Sequence, residues 1–238
     1  MPVQKPVGVL VKTSLVDYPG EVAAAVFLRG CNLRCPYCYN ADLVTGDLSR
    51  EDAATVVEII EHLERRKNVL TGFVLSGGEP LFSPTATELV AAARSAGYKI
   101  KLDTNGTLPE ILEQFLTSPR LKPDFIALDI KTSPSRYALL SQNQADCAPL
   151  LTRSVALVSA LPTNAREFRT VLTPPLVGSA DILAIAALLP KDAAWMFAPF
   201  QSGNCLDPSY NECVRYTERE MNALVETAAR AIPGAALR

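Results

Sequence analysis

Cys31, Cys35 and Cys38 follow one another in the pattern C-x3-C-x2-C, inside the run Arg29-Gly30-Cys31-Asn32-Leu33-Arg34-Cys35-Pro36-Tyr37-Cys38-Tyr39-Asn40. Soft thiolates suit iron–sulfur chemistry, and three of them hold three irons of a four-iron cluster. A fourth cysteine at ligand spacing is missing, so one iron stays open to a group that is not protein. The competing reading is structural zinc, which takes four Cys or His ligands. The only histidine, His62, shares the polar side of a helical pattern with Glu58 and Thr55 and reads as a solvated surface residue. Cys205 and Cys213, beyond the sixth strand, keep a fourth thiolate open as an alternative. Ordinary buried or surface cysteines are the plainer reading of these two and of Cys147.

The elements that must position the thiols alternate between strand and helix. An apolar run at residues 22–28 reads as a buried strand leading into the cysteine loop. Ser49 and Asp52 give a start signal for a helix to about residue 65, with Ala53, Val56, Val57, Ile60 and Leu63 at the 3.6-residue period. A strand at 72–75 precedes a helix that opens at Ser83-Pro84 and closes at Gly97. Strand 98–102, helix 109–117 and strand 125–130 follow. Residues 133–160 are helical without a clear register. Strands 167–172 and 194–200 flank an apolar helix at 181–189, and Thr217 with Glu220 caps a last helix that ends near Pro233.

Six such strands imply parallel βαβ units, hence a doubly wound sheet or a barrel. Five strand ends carry polar groups: the cysteine loop, Ser76-Gly77-Gly78-Glu79, Asp103-Thr104-Asn105-Gly106, Asp129-Ile130-Lys131 and Pro199-Phe200-Gln201. Sites on barrels collect at that face, whereas a doubly wound sheet concentrates them at one switch point. The expectation is an α/β chain forming a partial (β/α)6 barrel of parallel strands. Residues 1–238 then form a single domain, with 1–21 as an accessory N-terminal ribbon around residues 8–12.

Composition narrows the class. A formal charge of −2 offers no basic footprint for nucleic acid or an anionic membrane surface. No apolar run approaches the roughly 18–20 residues of a membrane span. Residues 1–13 show no signal-peptide pattern, and six cysteines without one read as a reduced, cytoplasmic setting.

The motifs together carry a resemblance. The cysteine triad with Tyr37 before its last member, followed by the Gly77-Gly78-Glu79 strand end, resembles the radical S-adenosylmethionine superfamily. Thr13-Ser14-Leu15-Val16-Asp17-Tyr18-Pro19-Gly20, Ser76-Gly77-Gly78-Glu79-Pro80, Lys101-Leu102-Asp103-Thr104-Asn105-Gly106 and Leu128-Asp129-Ile130-Lys131 look like the activating enzymes of glycyl radical enzymes. Among these the chain looks most like the activating proteins of anaerobic ribonucleoside-triphosphate reductases, over roughly residues 8 to 201. The resemblance implies that Cys31, Cys35 and Cys38 bind one [4Fe-4S] cluster whose open iron is chelated by S-adenosylmethionine. Gly77, Gly78 and Glu79 would bind the methionine amino group. Tyr37, Cys38 and Tyr39 would line the adenine, and Gln201 would lie near the adenosyl group. Asp103, Thr104 and Asp129 would form a monovalent-cation site beside the methionine carboxylate, which Lys131, next to Ile130, would meet as a counter-charge. Bland readings stand beside these: a hydrogen-bonded turn for residues 103–106, a rim ion pair for Asp129 and Lys131, and a rim position for Arg169. Relatives usually carry histidine where this chain has Tyr39.

The implied reaction is reductive cleavage of S-adenosylmethionine to a 5'-deoxyadenosyl radical, with flavodoxin as electron donor, then hydrogen abstraction from a glycine of a partner enzyme. The chain has no R-V-x-G-Y-like segment of its own, so the acceptor is another polypeptide. No cysteine lies between Tyr39 and Ser76, so a single cluster is expected. Three rivals remain: activation of another glycyl radical enzyme, a radical enzyme acting on a small molecule as in deazaguanine biosynthesis, and a zinc-stabilised binding module without catalysis.

Overall fold

The computed structural model describes residues 5–46, 48 and 51–238. They fall into two compact units, the first made of Met1–Asn32, Asp42–Thr104 and Glu110–Ile126, the second of Leu33–Ala41, Asn105–Pro109 and Ala127–Arg238.

The first unit carries β1 (Gly8–Ser14), β2 (Ala23–Leu28), β3 (Ala53–Ala54), α2 (Val56–Arg66), β4 (Gly72–Gly77), α3 (Ala86–Ser95) and β5 (Lys99–Thr104), with all but the first residue of α1 (Ala41–Thr45) and of α4 (Pro109–Thr117). Its strands lie in the order β3-β1-β2-β4-β5. β2, β4 and β5 are parallel, with Leu28 opposite Gly77 and Leu75 opposite Leu102. Ala23, Ala24, Ala25, Val26, Phe73, Val74 and Leu75 have no exposed surface, as expected of strands covered on both faces. β1 runs antiparallel to β2 from Gly8 to Ser14.

Two readings are corrected here. The helix expected from residue 49 begins at Val56, and residues 53–54 pair with β1 instead. The cap is Thr55: its hydroxyl accepts from the Glu58 amide at 3.3 Å while the Glu58 carboxylate accepts from the Thr55 amide at 2.8 Å. Ser49 itself lies outside the described residues. His62 is buried rather than solvated, because it extends the stripe of Ile59 and Leu63 that faces the sheet. Its Nε2 donates to the Lys12 carbonyl at 2.9 Å. Burial pushes its pKa below the ordinary histidine value.

β6 (Phe125–Asp129) starts in the first unit and ends in the second. The second unit continues with α5 (Ala148–Ser159), β7 (Arg166–Leu172), α6 (Ser179–Ala186), β8 (Trp195–Pro199), α7 (Glu218–Ala231) and β9 (Ala235–Leu237). β7 and β8 are parallel, as are β8 and β9. The unclear stretch after β6 resolves into a 3-10 turn at Pro134–Leu140 and then α5. Thr217 and Glu220 form the expected capping box of α7. The chain is thus α/β with a mostly parallel sheet, as expected. Among the described residues no helix is long and apolar enough to cross a membrane.

Candidate active site

In the first unit the end of β4 is pressed onto the start of the cysteine loop. The Gly78 amide donates to the Leu28 carbonyl and the Glu79 amide to the Gly30 carbonyl, both at 2.9 Å. A Cβ on Gly77 would run into the Leu28 backbone, and one on Gly78 into the Gly30 carbonyl group and Cys31 Cβ. Gly77 also sits at φ +120°, where side chains are disfavoured. These two glycines are therefore required by the chain that carries Cys31, a reason distinct from close approach to a ligand.

Glu79 is fully buried. Its Oε1 accepts from the Leu81 amide at 3.1 Å and from the Thr104 hydroxyl at 2.9 Å. On the neighbouring strand end, Asp103 Oδ2 accepts from the Ser76 hydroxyl at 3.0 Å, and Oδ1 pairs with the ammonium of Lys101. Lys101 is only 2% exposed, on the same face of β5 as Asp103. Neither Ser76 nor Lys101 was singled out as a separate functional residue from the sequence.

The second unit holds Cys35 and Cys38. A turn closes between them, the Cys38 amide donating to the Cys35 carbonyl at 3.0 Å. The loop after β8 clamps that turn: Leu206 N–H bonds the Cys38 carbonyl at 2.9 Å and Asp207 N–H the Pro36 carbonyl at 3.0 Å. Asn211 fixes the loop in turn, its Oδ1 accepting from the Gly203 and Cys205 amides at 3.2 and 2.9 Å. Cys205 is buried in this loop and Cys213 half-buried beyond it, while Cys147 is buried at the start of α5. Gln201 and Tyr39 are exposed, Tyr39 at 57%.

Tyr37 is buried, and among the described residues its hydroxyl has no hydrogen-bond partner. Burial raises its pKa well above the ordinary tyrosine value, and Cys35 and Tyr137 add to that. Tyr137, unforeseen in the sequence, is fully buried and accepts the Lys131 amide at 2.9 Å.

Asp129 carries a dense charge cluster. Its Oδ1 accepts from Arg169 Nε at 2.6 Å, and its Oδ2 from Arg169 Nη2 and Lys131 Nζ, each at 3.1 Å. Burial alone would raise the Asp129 pKa, but the Arg169 and Lys131 charges overcome it and hold the carboxyl well below the usual range. Burial would depress Lys131; Asp129, and after it Cys35, raise it above the ordinary lysine value instead. Arg169 thus joins the ion pair of Asp129 and Lys131 in one cluster. Ile130 is buried, its amide donating to the Arg169 carbonyl at 2.8 Å.

The donor set fits an iron–sulfur cluster. All six cysteines are free thiols; Cys31 of the first unit and Cys35 and Cys38 of the second are each half-buried. A single zinc ion would draw its ligands to within about 2.3 Å of one point, whereas a cube receives them at separate corners.

Comparison with known proteins gives consistent findings. Residues 25–144 match the family model described as the Radical SAM superfamily. A protein of Methanocaldococcus jannaschii that carries the provisional name of a glycyl-radical enzyme activating enzyme is 27% identical over 232 residues, covering 96% of this chain and 94% of that protein. The pyruvate formate-lyase-activating enzyme of Clostridium pasteurianum is 33% identical over 122 residues, 49% of this chain and 48% of the enzyme. Among solved structures, Streptococcus suis SuiB bound to S-adenosylmethionine shares the fold with a TM-score of 0.56 at 16% identity, over 87% of this chain and 47% of SuiB.

Proposed function

The chain belongs to the Radical SAM superfamily, and on that premise we propose that it is an activating enzyme that installs a glycyl radical on a partner polypeptide. The observation that carries the reading is similarity along nearly the whole length to the M. jannaschii protein of that name. The finer reading takes anaerobic ribonucleoside-triphosphate reductase as the partner and flavodoxin as the electron donor, on the motif resemblance given above. When bound, the cluster and S-adenosylmethionine supply reductive homolysis and a carbon-centred radical able to take hydrogen from glycine.

The protein's share is binding, orientation and exclusion of water. Cys31, Cys35 and Cys38 hold the cluster. Gly77, Gly78 and Glu79 receive the methionine amino group, for which the buried Glu79 offers a carboxylate already fixed by Leu81 and Thr104. Lys131, held cationic by Asp129, meets the methionine carboxylate. Tyr37, Cys38 and Tyr39 line the adenine. Ile130 packs against the cofactor, and Gln201 stands near the adenosyl group. The partner's glycine must come to roughly 3–3.5 Å of the reacting carbon, so a loop of the partner enters the site.

The test mixes iron–sulfur-loaded, reduced protein and S-adenosylmethionine with an inactive anaerobic reductase and records electron paramagnetic resonance. A glycyl doublet on the reductase is the expected result. Its persistent absence, with turnover of a small molecule such as a deazaguanine precursor, would replace the activase reading with that of a small-molecule radical enzyme.

A further inference from the structure

The alkali-ion site implied by the resemblance does not fit the side chains that this chain places there. Asp103, the first of its expected ligands, has both oxygens engaged by fixed groups of its own unit: Oδ1 by Lys101 Nζ and Oδ2 by the Ser76 hydroxyl at 3.0 Å. The Lys101 side chain is buried, 2% exposed against 12% for Asp103. The Thr104 hydroxyl is turned to Glu79 as a donor at 2.9 Å. In the second unit Asp129 is neutralised from two sides by Arg169 and Lys131. A potassium or sodium ion arriving at Asp103 would stand beside a buried ammonium of the same charge.

We propose that Lys101 is a tethered cation: its ammonium takes the place of an exchangeable monovalent ion at Asp103, so that S-adenosylmethionine binds without sodium or potassium. Lys101 is a positioning residue in this account. It fixes the orientation of Asp103, which in turn accepts from the Ser76 hydroxyl on the strand end that leads into Gly77. A covalently attached ammonium also has an advantage over a free ion, because its local concentration does not vary with the medium. The inference rests on the superfamily's cofactor and not on the glycyl-radical reading.

The experiment measures S-adenosylmethionine affinity calorimetrically on the iron–sulfur-loaded protein, without oxygen, in potassium, sodium and tetramethylammonium salts of equal ionic strength. The wild-type affinity is expected to be the same in all three. Lys101→Met should bind about tenfold or more weakly in tetramethylammonium and recover in potassium or sodium, since a charged partner of Asp103 is lost and only the small ions can replace it. Lys101→Arg, which keeps the charge, should remain insensitive to the cation. The melting temperature of Lys101→Met should rise with potassium but not with tetramethylammonium, a readout independent of turnover. A wild-type affinity that collapses in tetramethylammonium overturns the proposal, as does a folded Lys101→Met that ignores the cation. Should Lys101→Met fail to fold, the wild-type arm still decides, joined by thallium(I) resonance: a specifically bound ion on the wild-type protein refutes the tethered cation. A missing glycyl radical would leave these binding measurements unaffected, so the two failures are distinct.

Discussion

Gly78→Ala tests whether the Gly-Gly-Glu strand end is a structural joint as well as a cofactor motif. The added methyl would lie against the Gly30 carbonyl group, with Cys31 Cβ 3.2 Å away. The first obstacle is backbone, which cannot rotate aside as a side chain would. Forcing a methylene-sized group into such a space costs about 1–3 kcal/mol. Pushing residues 30 and 78 apart also weakens the Glu79 amide bond to the Gly30 carbonyl, worth about 1 kcal/mol. Loss of glycine's freedom in the unfolded chain returns about 0.4–1 kcal/mol. The net expectation is a destabilisation of roughly 2–3 kcal/mol, read by urea unfolding of the cluster-free protein. Because Gly30 adjoins Cys31, the same displacement should lower iron bound per chain after reconstitution. Gly97→Ala is the control. Gly97 sits at φ +90° with nothing within 4 Å of where an added methyl would lie, so it incurs left-handed strain of about 1–2 kcal/mol and nothing more. It should destabilise the fold yet keep its iron. A Gly78→Ala protein that unfolds within about 0.5 kcal/mol of wild type and binds full iron would refute the joint.

Three further outcomes follow from the same geometry. Asp129→Asn removes the carboxylate that half-buried Arg169 and Lys131 share, Arg169 keeping Glu167 at 3.9 Å, and should cost about 2–3 kcal/mol, somewhat less than a fully buried pair. The Asp129 pKa is depressed on folding, so its stabilisation is complete above the unfolded value of about 3.9 and is lost as pH falls through that value and below. The wild-type-minus-variant difference in unfolding free energy should thus be flat from about pH 8 to 5 and shrink below about 4; a difference already shrinking at neutral pH would contradict the assignment. His62 is held neutral by burial, so the unfolded chain takes up a proton first as pH drops and stability declines below about 6.5. Melting curves at several pH values should show that decline flattened in His62→Gln, and parallel curves for the two proteins would rule it out. Tyr37→Phe removes a buried hydroxyl without a partner among the described residues, so the cofactor-free protein should gain about 1 kcal/mol while S-adenosylmethionine affinity falls. Calorimetry and thermal unfolding check both signs, and destabilisation of the cofactor-free protein would show that the hydroxyl is satisfied after all.

What the sequence made legible, and what it withheld, follows the range of the interactions. The six alternating strands are bounded by apolar runs and local breakers, and all six appear within one or two residues of their expected ends. Two capping patterns, Ser49 with Asp52 and Thr55 with Glu58, stand six residues apart and compete for the start of α2. What separates them is pairing at long range: the Leu10 amide bonds the Asp52 carbonyl at 3.0 Å and the Val7 amide the Ala54 carbonyl at 2.8 Å, holding that stretch extended. Lys101 was open to discovery from period-two alternation, which puts it on the face of Asp103, but a lysine in a strand reads as exposed until its partner is known. Tyr137 gave no signal, lying in a 3-10 turn without amphipathic period.

The glycines show the difference most sharply. Their place in a motif was plain from residues 76–80, yet the physical demand on Gly77 and Gly78 comes from the backbone at residues 27–30, some fifty positions earlier in the chain. One side of that strand end is thus committed to the segment bearing Cys31, and the other to Glu79 and its hydrogen bonds with Leu81 and Thr104. A substitution there perturbs cluster retention and cofactor affinity through different atoms. Loss of activity alone therefore cannot assign a cofactor-binding role to either glycine. Iron content and S-adenosylmethionine affinity, measured on the same variant, separate the joint from the ligand.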